Sequence, residues 1–342
     1  MIWQFDTLIL LLLLVAAVVS LRLRDLLAAS VVFGIYSFLM CLLWAEMAAV
    51  DVAFTEAAVG AGVSALFMIA TVYQTTRKSS DGDSFSAKAM RLFGLFAVLV
   101  TGALLLYGVK DFPHYGAADS PANGGIVPRY YLENTMKDAR VPNAVTTTLA
   151  DYRGYDTMFE TSVVFTAGVA IFAILRVFGG DRNRHHPDSL RIRGDQFRII
   201  VGTTSRLLIA PIQLFALYVL AHGHHSPGGG FQGGVIIGAS FLLLSVARNL
   251  GESLTRLPEQ RFFTLGATGV LIYAGIGLLC LLLGHHFLDY RALQHVLPGV
   301  SPEMARSHGI LGVEIGVAIT VSSIMFAIYA NLSTRGELKK GL

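Results

Sequence analysis

The sequence has 342 residues, of which 54% are hydrophobic and only 14% are charged, and its mean hydropathy is +0.60. Because water-soluble chains carry far more charge, this composition excludes a soluble globular protein and favours one embedded in a bilayer. The net charge of +3 is small, and the scattered basic residues form no nucleic-acid surface. Cys41 and Cys280 lie in separate apolar runs and imply neither a disulfide framework nor a thiolate metal site.

About nine apolar segments are long enough to cross the roughly 30 Å of hydrocarbon in a bilayer. The first segment is interpreted as a true span rather than a secretory signal, because Arg22 and Arg24 follow its apolar run and no small-residue cleavage site comes after it. The sequence therefore predicts an all-α, polytopic transmembrane protein. The predicted spans cover approximately residues 2–21, 25–44, 51–73, 90–109, 157–178, 197–221, 230–247, 262–284 and 308–332.

Basic residues fall on alternate connections between these spans, which the positive-inside rule places in the cytoplasm. The N-terminus and the connections 45–50, 110–156, 222–229 and 285–307 are then predicted outside, and the C-terminus is predicted in the cytoplasm. The basic residues that set this orientation are Arg22, Arg24, Arg77, Lys78, Lys88, Arg182, Arg184, Arg191, Arg193, Arg248, Arg256, Arg261, Arg335, Lys339 and Lys340.

Two long polar interruptions, the outer loop 110–156 and the basic inner loop 179–196, divide the spans into groups. We expect a three-helix domain over residues 1–80, a two-helix domain with the large outer loop over 85–178, and a four-helix domain over 197–335. Residues 143–156 of the outer loop are predicted to form a short surface helix that leads through Asp156, as an N-cap, into the next span.

The stretch HGHHSPGGGFQGG, residues 222–234, has neither the lysine and hydroxyl of a phosphate loop nor the soluble βαβ context of a dinucleotide fingerprint. Its histidines lack the helical i, i+4 spacing of a zinc motif, so no metal site and no cofactor are predicted. Proline and glycine instead favour a tight, packed outer turn. The residues of this predicted turn are Pro227, Gly228, Gly229, Gly230, Gly233 and Gly234.

Three motif groups resemble components of known membrane complexes. HGHHSPGGGFQGGV, together with SHGILGVEIGV at 307–317, closely resembles the B subunit of multisubunit Mrp-type Na+/H+ antiporters. DLLAASVVFGIYSFLMCLLWAEMAAVDVAFTEAAVG, at 25–60, resembles the D subunit of membrane-bound hydrogenases and the equivalent tail of the Mrp A subunit. VTTTLADYRGYDTMFETSVVFTAGVAI, at 145–171, is similar to the E subunit of those hydrogenases and to the last helices of the Mrp A subunit.

This resemblance implies an accessory subunit of a heteromultimeric cation/proton antiporter in a bacterial or archaeal plasma membrane. Its implied partners are antiporter-like and small membrane subunits, and its implied ions are Na+ and H+. No lysine lies in a predicted span and no long many-helix antiporter module is found, so we expect no transport by this chain alone. The alternative is a subunit of a redox-driven pump such as a membrane-bound hydrogenase. A membrane enzyme is disfavoured, because no nucleophile, base and orienting group occur together and no catalytic residue is predicted.

Ionisable residues inside spans are costly and are functional candidates by default. Glu56, Glu160 and Glu314 are each predicted roughly 6 to 9 Å in from the outer end of a helix that runs inward. They could complement the positive end of a helix dipole and stay hydrated, or they could hold a proton or sodium on its way to a partner. The first alternative is stronger for Glu160, which shares its first turns with Asp156, than for Glu56 and Glu314.

Asp51 and Arg206 complete the ion-path candidates. Asp51 lies at the edge of a span. Arg206 lies about 12 Å from the cytoplasmic end of its predicted helix, from which it could snorkel to the inner face. A pair with Glu314 is geometrically marginal, a partner on another chain is an alternative, and structural ion pairing is favoured over a place in the ion path.

Overall fold

The computed structural model describes residues 2–79, 85–114, 116–176 and 195–336. Within these ranges the regular structure is helical, and nine helices are long and apolar enough to span a membrane. The prediction of an all-α protein with about nine spans is therefore confirmed. Most of the basic loop 179–196, with Arg182, Arg184, Arg191 and Arg193, lies outside the described residues, as do Lys339 and Lys340.

The first three spans are α1 (Ile2–Arg22), α2 (Leu26–Glu46) and α3 (Val50–Gln74), and each packs against the next. Asp25 caps α2 by accepting hydrogen bonds from the backbone N–H groups of Leu27 and Ala28. α3 widens into a π-helix over Ala57–Ser64, immediately after Glu56.

Residues 78–134 form one compact unit. It contains the long helix α4 (Phe85–Gly108), a single helical turn at Pro121–Gly124 and the first part of α5 (Ile126–Ala139). The described side chains of α4 are almost all exposed. α4 is thus an apolar spanning helix with little cover from its own unit.

The second unit combines residues 1–77 with 135–342. Its remaining helices are α6 (Gly154–Arg176), α7 (Asp195–His222), α8 (Gly230–Ala247), α9 (Leu250–Arg256), α10 (Glu259–Leu282) and α11 (Pro302–Thr334). α11 is the most buried of the spans and packs against α3, α6, α8 and α10. The core of this unit therefore lies around α11.

Glycines let the backbones around α11 approach closely. Gly230, Gly234 and Gly238 recur every four residues along the face of α8 that touches α11. A Cβ atom on Gly234 would lie only 2.8 Å from the backbone oxygen of Ala318. Any larger residue at this position would force α8 and α11 apart.

The outer segment 143–156 departs from the single surface helix predicted for it. Asn143 caps one helical turn (Ala144–Thr147), a π-helical stretch (Thr148–Tyr152) follows, and the chain bends at Arg153 before α6 begins. Asp156 lies inside the first turn of α6, so its prediction as the N-cap is wrong. We call residues 143–153 the strap.

Candidate functional site

The glycine-rich turn between α7 and α8 is held by hydrogen bonds to the end of α7 and to the strap. The Gly229 N–H donates to Val219 O at 3.2 Å, which folds the turn back onto the end of α7. The Asn143 side chain donates to Gly223 O and Ser226 O, both at 3.1 Å. The turn is thus fastened to the strap as well as to its own helix.

Asp51, at the start of α3, also contacts this turn. Its Oδ1 accepts long hydrogen bonds, of 3.4 Å each, from the Gly228 N–H and from Asn143 Nδ2. Asp51 is therefore an anchor for the turn, a role that its position at a span edge did not indicate. Its carboxylate also lines the cavity described below.

Glu314 meets the turn at the first residue of α8. Its side chain is buried, with 8% of the residue exposed, and its backbone packs directly against Gly230. A Cβ on Gly229 would lie 2.7 Å from Glu314 Oε1. The second carboxylate oxygen, Oε2, has no hydrogen-bond partner among the described residues.

This contact corrects the predicted electrostatic setting of Glu314. α11 begins at Pro302, so Glu314 lies about 18 Å along its own helix and far from its N-terminus. The positive helix end next to the carboxylate belongs to α8 instead, because Gly229, the N-cap of α8, lies beside Glu314 Oε1. The glycine motif and the glutamate, which looked like separate features in the sequence, therefore form one site.

A cavity of about 890 Å³ opens beside this carboxylate. Its walls come from α3, α6, α8, α11 and the strap, and they are mostly apolar side chains such as Val52, Leu149 and Phe231. The cavity brings together three sequence-predicted candidates, which are Asp51, Glu160 and Glu314. It is an apolar chamber with acidic groups at several points of its wall.

Glu160 lies at the exposed part of this cavity wall, unlike Glu314. Asp156 lines the same cavity and forms an ion pair with Arg153 at 2.6 Å. Glu160 and the Arg153–Asp156 pair thus lie on the exposed surface of the chain, whereas Glu314 is buried within it.

Glu56 and Arg206 lie away from the cavity lining. The Glu56 carboxylate rests against Gly60 and near Ser37 Oγ, on the α2 side of α3. Arg206 is 57% exposed in its side chain, and its guanidinium lies 3.7 Å from Glu252, which Arg248 also binds at 3.0 Å. The marginal pairing of Arg206 with Glu314 is absent from the described structure, and Arg206 has a structural ion partner on its own chain.

The strap is fixed by a charged cluster that sequence reasoning missed. Arg306, in the first turns of α11, donates from Nε to Asp151 Oδ2 at 2.7 Å and stacks over the Tyr152 ring. Tyr152 donates to Asp138 at 2.9 Å. Burial raises the pKa of Asp151, although the Arg306 guanidinium opposes this shift.

Two buried tyrosines hold the end of the strap and the start of α6. Tyr290 donates to Ala150 O at 3.0 Å, and Tyr273 donates to Gly154 O at 2.8 Å. Neither local composition nor periodicity predicts these hydrogen bonds, because the partners are more than 100 residues apart in the chain.

The outer histidines pack rather than converge. His222 stacks on Tyr218 with ring centroids 4.8 Å apart, and the backbone oxygen of His224 accepts a hydrogen bond from the Asn143 N–H. Burial lowers the pKa of His224, and the neighbouring His225 and His308 lower it further. In the part of the chain that the structure describes, no three histidine, cysteine or acidic side chains are grouped to hold a metal.

Family models match successive parts of the chain. They are the D subunit of MBH over residues 11–77, the E subunit of MBH over 115–192, and a domain related to the MnhB subunit of Na+/H+ antiporter over 200–327. The putative antiporter subunit mnhB2 of Staphylococcus aureus is 32% identical over 128 residues, which make up 36% of this chain and 90% of that protein. The chain belongs to the family of proteins related to the MnhB antiporter subunit. The resemblance drawn from the sequence motifs is confirmed.

Longer proteins are similar to most of the chain. The A/B subunit of a probable K(+)/H(+) antiporter from Rhizobium meliloti is 24% identical over 301 residues, covering 80% of this chain and 29% of that protein. A chain in the structure of the Mrp complex from Dietzia sp. DQ12-45-1b aligns with a TM-score of 0.71 and 23% identity over 94% of this chain and 34% of that chain. This MnhB-related chain thus spans about a third of the length of these relatives.

A second fold relative comes from an archaeal respiratory membrane complex, the membrane-bound sulfane sulfur reductase. It aligns with a TM-score of 0.51 and 27% identity over 70% of this chain and 96% of that chain. With its apolar spans and antiporter-subunit relatives, the MnhB-related chain is a multi-pass membrane protein. The predicted domain limits 1–80, 85–178 and 197–335 stay a prediction.

Proposed function

We propose that this chain is an accessory membrane subunit of a multisubunit Mrp-type cation/proton antiporter in the plasma membrane, and that the cavity beside Glu314 belongs to the ion path. The observation that carries the proposal is the enclosed Glu314 carboxylate with an unpartnered oxygen at the cavity wall. An ionised group in such a place is costly unless an exchanging proton or cation compensates it.

The cavity is lined by residues from all three segments that the family models match. α3 belongs to the part that matches the D subunit of MBH, the strap and α6 to the part that matches the E subunit of MBH, and α8 and α11 to the part related to MnhB. A cavity lined by all three segments supports a shared role for them in one site. Antiporter-like and small membrane subunits are the proposed partners, and an alkali cation and H+ are the proposed ions.

Glu56 remains a second ion-path candidate at another place. Its carboxylate lies between α3 and α2, next to the π-helical stretch, and has no part in the lining of the Glu314 cavity. Arg206, whose guanidinium lies near Glu252, is better explained as a structural ion pair near α9.

The competing function is a membrane subunit of a redox-driven ion pump. The alignment with a chain of the sulfane sulfur reductase complex favours this candidate, since it covers 96% of that chain. The antiporter names of the sequence relatives favour the first proposal.

Purification of the solubilised complex through a tag on this chain separates the two functions. Mass spectrometry should identify antiporter-like membrane subunits, and the complex in liposomes should show proton movement that depends on an added alkali cation. Iron–sulfur or nickel–iron companions would support the redox-driven pump instead. A stable monomer that exchanges ions without companions would refute the accessory role.

A further inference from the structure

We propose that Glu314 and Gln232 form a binding site for one small monovalent cation in the space above Gly229, and this rests on the proposed function. Both side chains line the cavity and both are buried. A Cβ on Gly229 would lie 2.7 Å from Glu314 Oε1 and 3.7 Å from Gln232 Oε1. The two oxygens therefore border the same small space, which exists because residue 229 has no side chain.

The hydrogen bonds around Gln232 determine which end of its amide faces this space. Thr55 Oγ1 donates its proton to Asp51 O at 2.9 Å, so the Thr55 oxygen is left to accept a hydrogen bond. It accepts that bond from Gln232 Nε2 at 2.9 Å. The amide nitrogen of Gln232 is thereby held at α3, and its oxygen is turned toward Gly229. An amide oxygen is a suitable neutral ligand for a hard cation.

The second ligand is an anion with an unused oxygen. Glu314 Oε2 is buried and has no hydrogen-bond partner among the described residues, so part of the carboxylate is unsatisfied. The N-terminus of α8, at Gly229 and Gly230, packs against Glu314 and so presents the positive end of its helix dipole to the same group. A cation bound between this carboxylate and the Gln232 amide would give Glu314 Oε2 the partner that it lacks among the described residues, and water in the cavity would complete the coordination.

The charge of the site selects a monovalent cation. Glu314 contributes one negative charge and Gln232 none, and the nearby Asp51 carboxylate already accepts from Gly228 and Asn143. The basic side chain in the cavity wall, Arg153, is paired with Asp156 at the rim. Divalent and transition metals prefer several charged or histidine ligands, and the described residues contain no such group of three.

The test is equilibrium binding of radioactive Na+ to the intact complex, purified through a tag on this chain. Gln232→Leu removes the amide ligand at similar size and should weaken Na+ binding by about tenfold or more, the effect of losing one interaction of about 1.4 kcal/mol. Gln260→Leu is the matched control, because Gln260 is exposed at the start of α10 and should leave the affinity within about twofold of the wild type. Unchanged affinity in Gln232→Leu would overturn the site.

Gln232→Glu keeps an oxygen at the same position and adds a charge, so it should bind Na+ at least as tightly as the wild type. If Gln232→Leu fails to assemble, this variant decides, and weaker binding in an assembled Gln232→Glu complex would overturn the site. Transport by the wild-type complex separates this inference from the proposed function. Absence of cation-dependent proton movement would refute the function, whereas normal movement with unchanged binding in Gln232→Leu would refute the cation site alone.

Discussion

The surroundings of the Glu314 carboxylate are formed by residues that are distant from it in the sequence. The residues that surround it on its own helix, Val313 and Ile315, offer no polar partner, which made it a candidate from the sequence alone. The contact with Gly229 and Gly230 could not be predicted, because it depends on how α8 and α11 dock. Sequence reasoning therefore found the residue and missed the helix N-terminus that lies against its carboxylate.

For other candidate residues, too, the sequence does not predict which neighbours their side chains meet. Asp51 and Glu160 were identified by their positions in spans, and the structure places both on the Glu314 cavity. The same argument predicts Glu56, which lies on another side of α3. Position along a helix predicts depth, whereas the direction of a side chain depends on the packed neighbours.

His224 provides a prediction at the residue scale. Its folded-state pKa lies below the usual value of about 6.5, so the unfolded chain binds the proton more readily. The stabilising effect of a neutral His224 is thus present above that value and is lost as the pH falls below it. The thermal unfolding midpoint of the assembled complex should therefore decrease when the pH is lowered from 7.5 to 5.5. The His224→Ala variant should assemble and show a smaller decrease.

His286→Ala is the control for this experiment, because His286 is exposed and is not one of the groups that lower the pKa of His224. Equal pH dependence in the wild type and His224→Ala would contradict the assignment. Loss of a stoichiometric bound metal from the His224 variant would overturn the interpretation of the turn as a packing element.

At the scale of elements, the spans were predictable and their ends were not. Apolar windows located the nine spanning helices, because the bilayer requires about 20 apolar residues in each. α11 extends six residues beyond its predicted start, since the polar stretch at Pro302–Ser307 is stabilised by tertiary contacts such as the Arg306–Asp151 pair. The sequence predicts one helix for the strap, whereas the structure has a π-helical stretch followed by a bend at Arg153.

The turn before α8 has no room for a side chain at residue 229. Gly229 has φ +131°, and its missing Cβ would lie 2.7 Å from Glu314 Oε1. Gly229→Val should therefore cost at least about 2 kcal/mol through backbone strain and overpacking, and should reduce the yield of assembled complex. Gly275→Val is the matched control, because a Cβ at Gly275 meets no atom within 4 Å. Equal yields of the two variants would contradict the packed turn.

At the scale of the whole molecule, the orientation in the bilayer remains a prediction from the basic connections. Single cysteines at Asn123 and Thr255, in a background with Cys41 and Cys280 replaced, provide the test. A membrane-impermeant thiol reagent added from outside should label the cysteine at 123 and miss the cysteine at 255 in α9. Labelling in the reverse pattern would place the N-terminus and the strap in the cytoplasm.

Cation-dependent proton movement by the Glu314→Gln complex in liposomes tests the central claim most directly. The substitution keeps the size of the side chain but removes its charge, so assembly should be normal while transport falls by about tenfold or more. Glu303→Gln, on the same helix but off the cavity, should transport as the wild type does. Normal transport by an assembled Glu314→Gln complex would contradict a place for this carboxylate in the ion path, and failure to assemble would make its role structural.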